Sequence, residues 1–337
     1  MIKCVIWDLD NTVWNGILLE SEQVIVKDKI VKLIKNLDKI GIINSISSKN
    51  EMDAAMNRLR YEGIDEFFVY PQINWNSKAH NIKQFISKLH IKAKDIVFVD
   101  DNEIERKEVK TVIDEITVLD PNKPEDIMLL ENLLKSNDNS NQLISRRELY
   151  KIEEKRIEVQ EKFNGSNADF LKSCNIVVEI STATASAIDR IEELINRTSQ
   201  LNSTGIKYSK DEIKNMVHSN EYDVFLYNVH DKYGSYGDSA LMICGYEEGS
   251  YIIKQLIVSC RLLGKGISNT LLYLAYNKAN EVGKKELKAS YIKTKHNKQM
   301  RMLYVMNNMN LEGDYFKINI AEQDIKCPSW ITIVNNI

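Results

Sequence analysis

Residues 2–12 read Ile2-Lys3-Cys4-Val5-Ile6-Trp7-Asp8-Leu9-Asp10-Asn11-Thr12, an apolar run that ends in two carboxylates. A run this short and apolar predicts a strand buried on both faces, as in a parallel sheet. Side chains alternate along a strand, so the spacing predicts Asp8 and Asp10 on one face. Two like charges held close are costly unless a cation or a transferable proton offsets them. The stretch therefore predicts a divalent cation, a nucleophile and acid–base chemistry at the carboxyl end of a strand.

Strand-sized apolar runs lie at 2–7, 42–47, 67–70, 95–99 and 116–119. Between them, apolar spacings of three and four, as in Ile30, Leu33, Ile34 and Leu37, predict helices at 28–40, 51–62 and 77–90. The alternation predicts an α/β fold with a parallel sheet and helices on both faces. Active sites of such sheets lie beyond the carboxyl ends of the strands. Three further features fall there: Ser47-Ser48-Lys49-Asn50, Lys78 within Asn74-Trp75-Asn76-Ser77-Lys78, and Asp100-Asp101-Asn102. Singly, each has an ordinary explanation as a helix cap, a solvated charge or turn chemistry. Together they bring two acids, a hydroxyl, a cation and a second acid pair to strand ends of one sheet.

A length of 337 residues favours two domains. A net charge of -3, from 45 basic and 48 acidic residues, disfavours a general nucleic-acid binder. The cysteines Cys4, Cys174, Cys244, Cys260 and Cys327 are scattered and never form a C-x-x-C pair, which indicates neither a disulfide framework nor a zinc knuckle. No leader-like basic-then-apolar start and no apolar stretch of about 18 residues is present, so the expectation is a cytoplasmic chain with no membrane partner. The pattern breaks at 121–142, where Pro121 and Pro124 precede a short helix and a polar run at 135–141; a charged helix at about 143–162 follows. From about 175 a second alternation predicts strands at 175–180, 223–229, 239–246, 251–260 and 286–292, with helices at 186–200, 264–282 and 297–308. The expected organisation is 1–135, a linker and connecting helix over 136–170, and a mixed α/β domain over 171–337. In that second domain Arg261-Leu262-Leu263-Gly264-Lys265-Gly266 opens a helix, and backbone amides of such a turn can cradle an anion.

The set Asp8-Leu9-Asp10-Asn11-Thr12, Ser48, Lys78 and Asp100-Asp101 resembles the haloacid dehalogenase (HAD) superfamily of phosphoryl-transfer enzymes. The resemblance implies a Rossmann-like parallel sheet with Asp8 as nucleophile and Asp10 as general acid and base. It also implies Ser48 and Lys78 as phosphoryl-oxygen ligands, and Mg2+ held by Asp8, the Asp10 main-chain carbonyl and Asp101. Asp100 orients Lys78 or a metal-bound water in this scheme. The 34 residues between Thr12 and Ser47 leave no room for a cap domain, so an open site is expected.

The R-x-x-G-x-G turn, the strand at 286–292 and Asn297-Lys298-Gln299-Met300-Arg301-Met302-Leu303-Tyr304 resemble the acyl-CoA-binding half of the GNAT acyltransferase fold. That resemblance implies an anion or phosphopantetheine site at Arg261, Gly264, Gly266 and Asn297, with Tyr304 able to protonate a departing thiolate. Joined to Trp7–Trp14, Glu105-Arg106 and Asn196-Arg197-Thr198-Ser199-Gln200-Leu201-Asn202, these segments resemble the FkbH-like family. Members of that family act in polyketide biosynthesis, taking the glyceryl group of 1,3-bisphosphoglycerate and loading it as a thioester on an acyl carrier protein. The implied covalent nucleophile is Cys260, because Ser47 stands where the family often has a cysteine; the plainer reading of Cys260 is packing. Asn196, Arg197, Gln200 and Asn202 read either as a capped polar helix end or as a polar wall facing the glyceryl or pantetheine group. The competing reading of the whole chain is a Mg2+-dependent phosphatase whose second half only binds substrate or carrier.

Overall fold

Strand β1 (Cys4–Trp7) is buried along its whole length because both faces of its sheet are covered. The computed structural model describes residues 2–20, 24–135 and 145–336. The chain divides into two units, Met1–Glu161 and Lys162–Ile337.

In the first unit β1 is followed by a two-stranded ribbon, β2 (Trp14–Asn15) and β3 (Ile25–Val26), and by helix α1 (Asp28–Lys39). Then come β4 (Ile43–Ser48), α2 (Met52–Tyr61), β5 (Gln72–Ile73), α3 (Lys78–Leu89), β6 (Ile96–Val99) and α4 (Glu103–Val112). β7 (Thr117–Leu119), α5 (Pro124–Lys135) and α6 (Arg146–Glu161) complete the unit. The sheet order is β5-β4-β1-β6-β7, and every pair is parallel. Alternation along β1 sends Val5 and Trp7 into one core with α1 and α5, and Cys4 and Ile6 into another with α3, α4 and α6. Between β1 and α3 the described residues form only the ribbon, α1, α2, a single 3-10 turn at Asp65–Phe67 and the sheet strands, so they build no cap domain.

Two boundaries differ from the sequence reading. The apolar run at 67–70 is not a strand: Phe68 makes one bridge to Asn44, and the edge strand forms at Gln72–Ile73. The charged helix assigned to the connector packs on the first unit, where Tyr150 and Ile157 enter its core and Glu154 accepts a 2.9 Å hydrogen bond from the Tyr70 amide. Most of the polar run at 135–141 lies outside the described residues.

The second unit contains α7 (Asn167–Ser173), β8 (Ile176–Thr182), α8 (Ile188–Arg197), α9 (Lys210–His218), β9 (Tyr222–Asp231), β10 (Gly234–Glu247) and β11 (Ser250–Val258). It continues with α10 (Ile267–Glu281), β12 (Glu286–Ser290), α11 (Lys298–Met306), β13 (Asn310–Glu312), β14 (Tyr315–Asn319) and β15 (Ile331–Asn335). They form one eight-stranded mixed sheet, β13-β14-β12-β11-β10-β9-β8-β15, parallel at β11–β12 and at β15–β8. Helix α9 and strands β13, β14 and β15 were not expected from the sequence.

Candidate active site

The strand stops at Trp7, so alternation does not carry through to Asp10. Instead a tight turn follows, in which the Thr12 and Val13 amides donate to the Leu9 carbonyl and Asn11 takes a left-handed conformation (φ 53°). Asparagine tolerates that conformation better than most residues. The turn gives the two carboxylates separate partners. Asp8 is buried against Lys78, whereas Asp10 accepts from Trp14 Nε1 (2.7 Å), the Leu18 amide (3.1 Å) and Asn50 Nδ2 (3.1 Å).

Lys78 is the hub. As the first residue of α3, capped by Ser77, it extends a fully buried side chain to Asp8, the Ser47 carbonyl (2.8 Å), Asp100 Oδ2 (3.3 Å) and Glu105 Oε2 (3.3 Å). Burial works against its charge, but Asp8, Asp100 and Glu105 outweigh that and hold Lys78 protonated above the ordinary lysine value. Three acids around one cation leave excess negative charge in a dry place. Burial raises Asp8 despite Lys78, and burial with the Asp8 charge pushes Asp100 up to about 7.

That excess suits a divalent cation. Oxygens of Asp8, Asp100 and Asp101 lie within 4.8 Å of one another, and Asp100 Oδ2 is buried with no hydrogen bond, only the ion pair to Lys78. An all-oxygen set of this kind fits Mg2+. The Asp10 side chain is outside this group, its three hydrogen bonds holding it elsewhere, so only its main chain is left for a metal role. Thr12 steadies Asp101 by accepting from its amide at 3.1 Å. The Ser48 hydroxyl is buried at the strand end beside Asp8, whose charged form it favours, and is a donor for a ligand oxygen; Ser47, one residue earlier on the strand, faces the other side of the sheet.

A pH dependence follows. The folded Asp100 pKa is raised, so below about 7 a proton occupies a carboxylate that the metal needs. Mg2+ affinity measured by calorimetric titration is expected to rise with pH up to about 7 and then level off. A flat profile across that range would rule out Asp100 as a ligand.

Four contributors were not singled out as site residues by the sequence. Asn50 and Trp14 orient Asp10, and Glu105 bridges Lys78 to Lys49 (2.7 Å) at the rim. Each is joined to its partner by folding rather than by local spacing, except Trp14, four residues from Asp10. If Asp10 acts as the acid–base group that the sequence resemblance implies, Asn50→Ala is expected to lower kcat for phosphate release by about 10–100-fold with KM little changed, because it frees that carboxylate to move. An unchanged kcat would show that Trp14 and the Leu18 amide suffice.

In the second unit the predicted residues fall into two groups. β11 and β12 pair from Ser250 to Ile253 and then diverge. The chain's own segment Leu201–Ser203 fills the gap: the Ser203 amide donates to the Leu256 carbonyl (3.0 Å), the Val258 amide to Leu201 (2.9 Å), and the Ile292 amide to Ser203 (3.2 Å). Asn297 is buried and clamps this wedge, its Nδ2 donating to the Asn202, Ser203 and Ile292 carbonyls at 2.9–3.2 Å. Asn202 is equally buried, taking the Thr204 and Gly205 amides and Gln255 Nε2. Tyr304 is enclosed by Tyr291 and Phe316, and burial raises its hydroxyl pKa. Asn297, Asn202 and Tyr304 are therefore held inside the domain. Arg197 pairs with Glu193 (3.6 Å) on its own helix.

The turn after β11 forms the second group. Cys260 is partly exposed at its start and Arg261 is largely buried, while Gly264 and Gly266 adopt φ of 76° and 90°. A Cβ on Gly264 would meet open space, whereas one on Gly266 would strike Pro328 (3.1 Å) and Trp330 (3.2 Å). The accessible side of the turn is at Gly264.

No family model and no curated protein matches the sequence. Among solved structures, the chain is similar to the N-terminal part of the Bacteroides fragilis protein BF1531, containing a phosphatase domain complexed with Mg, at 28% identity and a TM-score of 0.36. That match covers 42% of this chain and 42% of the other, less than half the length of each. It is also similar to the Escherichia coli ribosomal-protein-S18-alanine N-acetyltransferase (12% identity, TM-score 0.32, 42% of this chain, 94% of that one). The Vibrio cholerae spermidine N-acetyltransferase in complex with CoA and spermine gives 15% identity and a TM-score of 0.34, over 43% and 96% of the two chains. By its own strand order, the first unit has the α/β sheet expected of a HAD-type domain without a cap, and the second has the mixed α/β sheet expected of a GNAT-like domain.

Proposed function

We propose that the chain is a Mg2+-dependent phosphoryl-transfer enzyme that dephosphorylates 1,3-bisphosphoglycerate and loads its glyceryl group as a thioester onto an acyl carrier protein. The observation that carries the phosphoryl-transfer part is the buried cluster of Lys78 with Asp8, Asp100 and Glu105, beside Asp101 and the buried Ser48 hydroxyl. It is a site short of positive charge and ready to receive both a cation and a phosphoryl group. Asp8, Asp100 and Asp101 would hold Mg2+, which would supply charge neutralisation for a phosphate dianion.

Asp8 attacks the phosphorus of the phosphate ester, the ester P–O bond breaks, and Asp10 gives its proton to the departing alkoxide oxygen. Asp10, now a carboxylate, takes a proton from water as that water attacks the aspartyl phosphate. Inorganic phosphate leaves and Asp8 is restored. Lys78 and the Ser48 hydroxyl hold the equatorial oxygens, where charge accumulates. The acyl phosphate is the second reacting bond: a thiolate attacks the acyl carbon, the C–O bond to phosphate breaks, and phosphate departs with the electron pair. The thiolate is that of the carrier, reached directly or after a thioester on Cys260, with Gly264 giving the arm its place.

A second reading, a phosphatase whose GNAT-like half only binds substrate or carrier, draws on the wedge Leu201–Ser203, which occupies a strand edge that a ligand's amides would otherwise pair with. One experiment separates the two. Incubation with 1,3-bisphosphoglycerate, Mg2+ and a phosphopantetheinylated carrier protein is expected to add a glyceryl mass to the carrier. Phosphate release without that mass would leave the second reading. Full-rate loading by Cys260→Ser would remove the covalent role.

A further inference from the structure

Helix α11 lies at the end of a stretch with an unusual charge pattern. Between Glu286 and Glu312 there is no Asp or Glu, in a chain with more acidic than basic residues. Lys293, Lys295, Lys298 and Arg301 are all exposed there, and none of the four forms an ion pair with a described acid. Along the helix, positions 298, 301, 302, 305 and 306 share one face. Met300, Leu303 and Tyr304 take the buried side. The outward face thus carries Lys298 and Arg301 at one end and Met302, Val305 and Met306 at the other, and those three are 60%, 53% and 76% exposed. Unpaired cations that run lengthwise into a bare apolar tip have no role in holding the fold.

We propose that this face of α11, with Lys293 and Lys295 before it, docks an acidic protein helix, and that the partner is the carrier protein of the reaction proposed above, on which this inference rests. Three observations favour that occupant. Four unpaired cations on so short a stretch call for a partner of opposite charge, which would gain encounter rate and register from them. Exposed methionines adapt to an apolar partner surface and give the contact its dry centre. The far end of α11 adjoins the first turn of α10, where Asn307 Nδ2 lies 3.4 Å from Asn269 Oδ1, and the turn leading into α10 is the one left open at Gly264. A carrier seated on α11 therefore has its prosthetic arm beside that turn. A nucleic acid is less suited, since the exposed helix face offers no aromatic ring for a base. A membrane surface would call for cations and apolar groups on opposite sides of the helix, not end to end along one.

The test is the Kd of a phosphopantetheinylated acyl carrier protein for the full chain, measured by fluorescence anisotropy. Lys298→Glu/Arg301→Glu is expected to weaken binding at least about tenfold, and Met302→Ser/Met306→Ser by a similar factor. Wild-type binding should also weaken as salt is raised, and the apolar double variant should keep that salt dependence. Phosphate release from 3-phosphoglycerate, used as a small probe, should be unaltered in both variants, and a thermal melt of each matching wild type reports that they are folded. Carrier binding equal in wild type and both variants would overturn the docking face while leaving the proposed reaction standing. Binding of anionic phosphatidylserine vesicles or duplex DNA, with no carrier binding, would assign the face to another class of partner. Phosphate release with no binding to the carrier would overturn both the face and the loading reaction.

Discussion

Asp8→Asn is expected to reduce phosphate release by about 10^4-fold or more while the protein remains folded. The size follows from the role: an amide oxygen cannot form the acyl-phosphate bond, so what is left is the contribution of binding alone. The fold should survive because Asp8 is one of three acids crowded around a single lysine. Removing it leaves Lys78 paired with Asp100 and Glu105 and takes away the like charge that helps push Asp100 up. The thermal midpoint should therefore hold or rise. The decisive measurement is a phosphate-release assay beside a thermal melt. Normal turnover by Asp8→Asn would end the covalent mechanism, and loss of activity with loss of fold would make Asp8 a structural residue instead.

Lys78→Met should have the largest effect on stability. The substitution keeps most of the side-chain volume but strands Asp8, Asp100 and Glu105 in a buried site without their shared cation. Breaking a buried pair by removing one partner costs about 3–5 kcal/mol. The cost should depend on pH in a defined direction. Asp100 already titrates near 7 and will titrate higher without Lys78, so at acid pH it takes a proton and part of the penalty disappears. Denaturant melts should show the destabilisation growing as pH rises from about 5.5 to about 8. Mg2+ should recover more stability in the variant than in wild type, since it replaces the missing charge. A variant as stable as wild type at the upper pH, without Mg2+, would contradict the buried-charge account.

The candidate site was legible in the sequence because Asp8, Ser48 and Asp100 lie at strand ends of one parallel sheet and Lys78 opens the helix after its edge strand, where topology brings these positions together. Asp8, Ser48, Lys78 and Asp100 could be placed by counting elements, and the structure gathers them. What spacing did not reveal is which of them share partners. Asn50 meets Asp10 across 40 residues, and Thr12 meets Asp101 across 89. The alternation argument for Asp8 and Asp10 reached a useful result through the wrong geometry, since the strand ends first and a left-handed Asn11 turns the chain.

The second unit was less legible for a physical reason. The wedge at Leu201–Ser203 carries no apolar period, and its polar side chains looked like a helix end or a ligand wall. Instead Asn202 accepts from the Thr204 and Gly205 amides and from Gln255 Nε2 on β11, and the Ser203 hydroxyl accepts from the Leu256 amide, long-range contacts that no local pattern announces. Helix α6 misled differently: its charge suggested a connector, but Tyr150 and Ile157, seven residues apart, reach one core.

That wedge also sets a clock. The Val258 amide is bonded to Leu201, and the Leu256 amide to the Ser203 hydroxyl, so neither proton can exchange with solvent until the segment lifts away. Their deuterium uptake, compared with that of neighbouring amides bonded only to β10, measures how often the gap between β11 and β12 opens. If uptake at those two positions quickens when carrier protein is added, the segment behaves as a latch on the thiol's path. If it does not, carrier protein leaves the wedge in place between the two strands.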